Sequence, residues 1–366
     1  MAISNHSSLA LRMMKAVKTE GAEIFANSKF FTDRKEVPTP IYALNIALSG
    51  ELGGGLSCGV IMPAGPSKHF KSNISLAMIA PFMEKYDDAV CVFFDSEFGA
   101  SFSYFDFFGI DKNRVIHVPV TNIEELKFNL MSMLEELKRE DHVIMFVDSI
   151  GNLASKKEVE DALTEKSVAD MTRAKALKSL FRMSTPHFAT KDIPFICVNH
   201  TYSEIATHPR QIVGGGTGGY YASNSIFIIR RRQIKEGTDV IGYEFIIDID
   251  KSRAVKERSS IPLTVTFEGG IDPYSGLLDI GAALGYIDAS KKGWYSRTCV
   301  ENDKGWRRRD TSTEEFWGPV LNNKDFQRDI KNAYSLSNDG SGKIGNVVYD
   351  EETGEIVAST TGVELG

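Results

Sequence analysis

The chain has 366 residues, 42% of them hydrophobic, and a formal net charge of -7. This length and apolar content exceed one module of about 100 residues and fit a large core with a smaller appendage. The acidic balance excludes nucleic-acid binding driven by overall charge, so any such contact must come from local basic clusters or from loops offering backbone N–H groups.

In chain order, residues 1–35 read as an amphipathic helix followed by an exposed aromatic patch, "SKFFTD". Arg12 and Lys15 interrupt "SLALRMMKAV", which leaves no apolar stretch long enough for a signal peptide, and nothing downstream approaches a membrane span; a cytoplasmic protein is expected. "VPTPIYALNIAL" (37–48) leads through the Gly-rich turn "GELGGGLSCG" into "VIMPAG", a short apolar strand ending at Gly65. From there strands and helices alternate. "KSNISLAMIAPFMEKY" has helical spacing, and Pro81 is predicted to kink or shorten it. "AVCVFFDSE" is a buried strand, and "TNIEELKFNLMSMLEEL" is a helix opened by a capping box of Thr121 and Glu124. "HVIMFVDS" and "IPFICVNH" are again continuous apolar runs, as expected when helices cover both faces of a sheet. The alternation predicts an α/β core with a largely parallel sheet.

Beyond about residue 225 the pattern changes. "SIFIIRRRQIKEG", "YEFIIDIDKSRAV" and "IPLTVTFEGG" read as hairpin-connected strands, an antiparallel extension of that sheet. After "DPYSGLLDIGAALGY" the chain is more polar, with Trp294, Trp306 and Trp317 as anchors of a small C-terminal domain. From about 337 it is rich in Gly, Ser, Asp and Glu, the composition of a flexible tail. The expected organisation is an N-terminal contact segment (1–35), a core (36–272), a small domain (273–336) and a tail (337–366). Cys58, Cys91, Cys197 and Cys299 form no CxxC pair and the seven His are scattered, so no zinc site is expected. Cys91 and Cys197 lie in apolar runs, as buried thiols of a reducing compartment do.

"GPSKHFKS" (65–72) differs at one position from a phosphate-binding loop, with Phe70 where the second Gly belongs. In such loops successive N–H groups and a helix N-terminus face the phosphates. Gly65, Pro66, Ser67, Lys68, His69 and Phe70 would form that cradle, Lys71 would neutralise the β and γ oxygens, and Ser72 would ligate Mg²⁺. Phe70 is compatible if its φ is negative and its ring turns away from the phosphates. Asp148 ends a strand and suits Mg²⁺ held through water. Glu97, just past another strand end, could accept a proton from an attacking water. Asn199 and His200 end a further strand, where they could sense a γ-phosphate. Four such strand ends on one sheet edge point to a nucleotide hydrolase.

The ordered segments "AGPSKHFKSN", "DSEFG", "FVDSIGNLASKKEVEDAL", "MTRAKALKSLFR", "VNHTY", "GGGTG" and "RRQIKEG" resemble, from about residue 36 to 290, the RecA family of recombinases and most closely its bacteriophage UvsX-type members. These tolerate a bulky residue before the loop Lys. The resemblance implies an α/β fold: a RecA-type ATPase core with a central, mostly parallel sheet, a short N-terminal polymerisation helix and strand, and a small C-terminal α+β domain. It implies ATP and Mg²⁺ as cofactors, with Lys71, Ser72, Asp148 and Glu97 in the roles above and Tyr104 stacked on adenine. His200 falls where the family links γ-phosphate to DNA through a polar residue.

The resemblance further implies two disordered DNA-binding loops. The first lies within 155–167, with Lys156 and Lys157, before a helix carrying Arg173. The second runs from Thr201 to about Gly218, where Arg210 adds charge and Gly214, Gly215 and Gly216 bring N–H groups against phosphates. Lys251 and Arg253 match cations that reach a neighbouring subunit's ATP, so that hydrolysis depends on assembly. A head-to-tail filament of identical chains follows, held partly by the N-terminal helix and a strand near 36–42. The implied activity is a DNA-dependent ATPase with strand exchange, in phage recombination, repair and recombination-dependent replication. Single-stranded DNA, duplex DNA as second substrate, a recombination mediator, a single-strand-binding protein and a replicative helicase are the implied partners, without a membrane, in the host cytoplasm if phage-encoded. A RecA-fold helicase or another DNA-stimulated ATPase is the alternative, as is a coating filament that uses ATP only as a switch. Arg307, Arg308 and Arg309 are a candidate second DNA surface.

Overall fold

The computed structural model describes residues 8–19, 21–28, 30, 33–99, 101–163, 172–204, 211–336, 347–349 and 356–359. Chain order begins with α1 (Ser8–Met14), α2 (Tyr42–Ser49), β1 (Gly59–Ala64), α3 (Lys71–Lys85), β2 (Val90–Asp95), α4 (Phe102–Phe107), β3 (Val115–Pro119), α5 (Ile123–Glu136) and β4 (Val143–Asp148). It continues with α6 (Lys156–Leu163), α7 (Thr172–Thr190), β5 (Pro194–Cys197), β6 (Thr201–Ser203), β7 (Gln211–Val213), α8 (Thr217–Ala222), β8 (Ser223–Glu236), β9 (Asp239–Ser252), β10 (Ser260–Thr266) and β11 (Gly270–Ile271). The last elements are α9 (Leu277–Ala283), β12 (Ile287–Asp288), β13 (Trp294–Arg297), β14 (Trp306–Arg307), α10 (Glu314–Leu321) and α11 (Lys324–Tyr334).

One nine-stranded sheet runs β11-β10-β9-β8-β1-β5-β4-β2-β3. From β8 to β3 neighbouring strands are parallel, and from β8 to β11 they are antiparallel, as the change of pattern near residue 225 predicts. The apolar runs are continuous because both sheet faces are covered. Along β4, Ile144 and Phe146 enter one core while Met145 and Val147 enter the other. The first core takes α2, α3 and the C-terminal helices; the second takes α5 and α7.

Residues 277–334 pack onto the first core through Leu277, Ile280, Phe316, Trp317, Phe326 and Ile330. Trp306 and Trp317 are buried, whereas Trp294 is half-buried beneath the Arg307 guanidinium, 3.9 Å from its ring centroid. Arg297 and Asp303 form a buried ion pair at 2.6 Å, and Arg297 also donates to the carbonyls of Glu315 and Phe316. The neighbours overcome burial and hold the Asp303 carboxyl down at about 2.

Several local expectations are corrected. Pro81 does not shorten α3, which continues past it to Lys85; a proline removes one N–H bond, and the buried face from Ile74 to Met83 outweighs that loss. The cap of α5 is Asn122, which accepts from the Glu125 N–H, while Glu125 reaches back to the N–H and hydroxyl of Thr121; the capping box is shifted by one residue. The N-terminal helix is confined to Ser8–Met14 among the described residues. Phe30 is half-buried beneath Arg34 and Arg139 rather than exposed, and Phe31 lies outside the described residues. Residues 36–42 form no strand in this single chain: Val37 makes an isolated bridge to Leu56, and Tyr42 opens α2. Within the expected tail, Val347–Tyr349 and Ile356–Ser359 pair antiparallel; the rest of it lies outside the described residues. Among the described residues no helix is long and apolar enough to cross a membrane.

Candidate active site

Parallel strands deliver their carboxyl ends to one side, and β1, β5, β4 and β2 are consecutive in the sheet. Their exits bring Lys71, Ser72, Glu97, Tyr104, Asp148 and His200 around one cavity of about 380 Å³. The four strand ends read from the sequence thus supply groups to one cavity, and Tyr104, named from the resemblance, lines it as well.

The loop after β1 turns twice through left-handed backbone at non-glycine residues, Lys68 (φ 62°) and Phe70 (φ 61°). The expectation of a negative φ at Phe70 is wrong. Its ring stacks on Phe245 of β9, with centroids 4.8 Å apart and planes at 15°, and this apolar contact offsets the backbone cost. Lys71 opens α3 with its side chain buried and its Nζ donating to the Pro66 carbonyl at 2.8 Å. Burial lowers its pKa, against the charges of Glu97 and Asp148, which raise it.

The Ser72 hydroxyl donates to Asp148 Oδ2 at 2.5 Å. Burial pushes the Asp148 carboxyl up to about 6; the Ser72 bond opposes this and the Glu97 charge adds to it. Among the described residues no three His, Cys, Asp or Glu side chains gather to hold a metal. Ser72 and Asp148 offer two hard oxygens, which fits a Mg²⁺ completing its shell with nucleotide oxygens and water.

Glu97 is held at one oxygen. Its Oε1 accepts from Ser149 Oγ at 2.6 Å, Asn152 Nδ2 at 3.0 Å and His200 Nε2 at 3.1 Å. The His200 bond, followed by that of Ser149, holds this carboxyl below its ordinary value despite partial burial. Asp95 fixes the turn beneath it, accepting the N–H groups of Glu97 and Phe98 at 3.1 and 2.7 Å. Ser149 is locked in turn by Ser96, whose hydroxyl donates to the Ser149 carbonyl and accepts its N–H. Gly151 permits this packing, because a Cβ there would lie 2.4 Å from the His200 ring. Sequence reasoning missed Asp95, Ser149, Asn152 and Gly151; the runs "DSE" and "DSIGN", each beginning at the last residue of a buried strand, were the available signals.

His200 also joins the site to the next segment. Its carbonyl accepts the Gly214 N–H at 2.9 Å, and Asn199 Nδ2 donates to the Gly214 carbonyl at 2.9 Å. Gly215 and Gly216 have φ of 90° and 75°, which suits glycine. The 201–218 segment, expected to be a disordered loop, contains the paired strands β6 and β7 and begins α8; Arg210 lies outside the described residues. The first expected loop, 155–167, is likewise helical over Lys156–Leu163, where Lys156 and Lys157 are exposed; its residues 164–167 lie outside the described residues. Its helical spacing supports that form, with Ser155 accepting the Glu158 N–H. Arg173 donates to the carbonyls of Ile150, Gly151 and Leu153, bracing the segment that follows Asp148.

Lys251 and Arg253 do not line the cavity of their own chain. The Lys251 Nζ donates to the carbonyls of Tyr220 and Tyr221, at the end of α8; burial and the nearby Arg253 charge lower its pKa. Arg253 is exposed.

A family model described as the RecA N-terminal domain matches residues 9–272. The chain belongs to the RecA family. A second family model, the C-terminal domain of the bacteriophage T4 recombination and repair protein, matches residues 274–330. The chain is 46% identical to the recombination and repair protein of Enterobacteria phage T4, over 94% of this chain and 90% of that protein. It is 26% identical to Protein RecA of Syntrophus aciditrophicus, over 71% of this chain and 74% of that protein. Protein RecA of Bacillus velezensis is 25% identical, over 94% and 96% of the two chains. In this RecA-family member the residues that line the cavity, from Ser67 to His200, all lie within the matched RecA N-terminal domain.

Proposed function

We propose that this protein is an ATP-dependent recombinase that assembles as a helical filament on single-stranded DNA and exchanges strands with a homologous duplex. The observation that carries this reading is the direct bonding of His200 to both Glu97 and Gly214, which joins a hydrolytic site to a glycine-rich segment suited to DNA phosphates. The T4 relative is a recombination and repair protein, which supports the same role here.

The loop from Gly65 to Phe70 would present N–H groups to the phosphates, with Lys71 against the β and γ oxygens and Tyr104 beside the adenine. Mg²⁺ held by Ser72 and Asp148 would supply charge neutralisation at the phosphates. Glu97, held below its ordinary value by the His200 and Ser149 hydrogen bonds, takes the proton of the attacking water through its Oε2. Lys251 and Arg253 of a neighbouring copy bring positive charge to the γ-phosphate, so that turnover requires assembly. Lys156, Lys157, Arg173, Arg210 and Gly214 to Gly216 would line the DNA, with the Arg173 guanidinium acting through the carbonyls it braces. A mediator, a single-strand-binding protein and a replicative helicase would be partners in the host cytoplasm.

The test is negative-stain imaging with ATP and single-stranded DNA. Extended helical filaments are expected; closed rings would favour a RecA-fold helicase. Retained DNA binding with lost turnover in Glu97→Gln would exclude a filament that uses ATP only as a switch.

A further inference from the structure

We propose that Arg231 and Phe245, on the antiparallel strands β8 and β9, are positioning residues that hold the phosphate loop in its left-handed turn and thereby set its affinity for nucleotide. The inference rests on the nucleotide-binding reading of this site. Two non-glycine residues of one short loop, Lys68 and Phe70, adopt positive φ, a region costly for any side chain with a Cβ. Each is met by a contact from the same surface. The Arg231 Nη1 donates to the Lys68 carbonyl at 3.0 Å, and the Phe70 ring stacks on Phe245 at 4.8 Å.

Arg231 and Phe245 are register partners across the antiparallel pair, so they stand side by side on one face of the arm. Tyr243, two residues before Phe245, shares that face. Its ring lies 4.8 Å beneath the Arg231 guanidinium and 6.1 Å from Phe245. A planar guanidinium can stack on a ring and donate to a carbonyl at once, which an ammonium cannot do in the same geometry. The loop therefore rests on the arm at two points, one polar and one aromatic. Without them the loop would populate other conformers, and apparent affinity falls in proportion to the competent fraction. Uniform loss of binding raises KM and leaves kcat unchanged.

The experiment uses the full chain, a fluorescent ATP analogue with Mg²⁺ for equilibrium binding, and steady-state ATP hydrolysis with single-stranded DNA. Arg231→Ala is expected to raise both the Kd of the analogue and the KM for ATP about tenfold, with kcat within about twofold. Phe245→Leu is expected to do the same if it folds, and Arg231→Ala tests the claim if it does not. Adding Lys68→Gly to Arg231→Ala should recover most of the affinity, because glycine takes φ near 62° unaided, whereas adding Lys68→Ala should not. Wild-type affinity in Arg231→Ala, or equal recovery by glycine and alanine, would overturn the brace while leaving the nucleotide site standing. Failure of the wild-type protein to bind the analogue would overturn the nucleotide reading and the brace with it.

Discussion

The two halves of the nine-stranded sheet divide the labour. In the parallel half, β1, β4 and β5 are buried along their whole length, and the strand exits converge on one cavity that holds Lys71, Glu97, Asp148 and His200. In the antiparallel half, β8 is buried only where it borders β1; beyond Ile229 it stands free on one side and pairs Arg230 with Asp248 and Arg232 with Glu244. Convergent parallel ends concentrate groups at a point, whereas a long antiparallel hairpin connects points. Both strands of the hairpin touch the phosphate loop, β8 through Arg231 and β9 through Phe245, and Lys251 near the end of β9 lies beside α8.

Changes in the parallel half should therefore cost catalysis, and changes on the open face of the arm should cost little. The largest effect is expected for Glu97→Gln: kcat for ATP hydrolysis should fall roughly 10²- to 10⁴-fold, the usual worth of a positioned base, with nucleotide and DNA binding retained. Next, Gly151→Ala forces a Cβ to 2.4 Å from the His200 ring. The displaced imidazole should lower kcat by roughly 10²-fold, the cost of a misplacement near 1 Å, and weaken stimulation by DNA in the same assay.

A smaller effect concerns pH. The Glu97 carboxyl is depressed, so any stability linked to it is present above the ordinary value of 4.5 and is lost as pH falls through its lower folded value. In His200→Ala the main cause of the depression disappears, and NMR titration of that carboxyl should show its midpoint moving up toward 4.5. A midpoint unmoved in His200→Ala would contradict the assignment of His200 as the main group that lowers the Glu97 carboxyl. The smallest effect is expected for Arg230→Ala, which breaks an exposed pair on the arm worth at most about 1 kcal/mol. Its melting temperature and DNA-free hydrolysis should stay near wild type; a large loss of hydrolysis would erase the distinction between the two halves.

Away from the sheet, the triple Ala variant of Arg307, Arg308 and Arg309 should weaken capture of duplex DNA while leaving hydrolysis on single strands intact. Of these three, Arg307 lies over Trp294, so its loss also uncovers that ring.

The sheet was legible in the sequence because both of its faces are covered, which turns strands into unbroken apolar runs such as "HVIMFVDS". Glu97, Asp148 and His200 were legible for the same reason, as polar residues at or just past the carboxyl end of such a run, and Lys71 was legible from the loop motif "GPSKHFKS". What supports them was not. Phe70 has positive φ because Phe245 lies under its ring, and no local pattern announces a partner so far along the chain. Ser149 and Asn152 are ordinary loop residues until the fold sets them on Glu97. Thr121 and Asn122 are both competent caps, so sequence alone could not choose between adjacent registers. Lys156 to Leu163 was expected to be a loop on the family resemblance alone, and its own helical spacing was the contrary signal.

The most direct test of the account is ATP hydrolysis measured with and without single-stranded DNA across protein concentrations. A site completed by Lys251 and Arg253 of a neighbouring copy predicts strong DNA stimulation and a cooperative dependence on protein. Hydrolysis that is linear in protein and indifferent to DNA would contradict it, since every group needed for turnover would then reside in one chain.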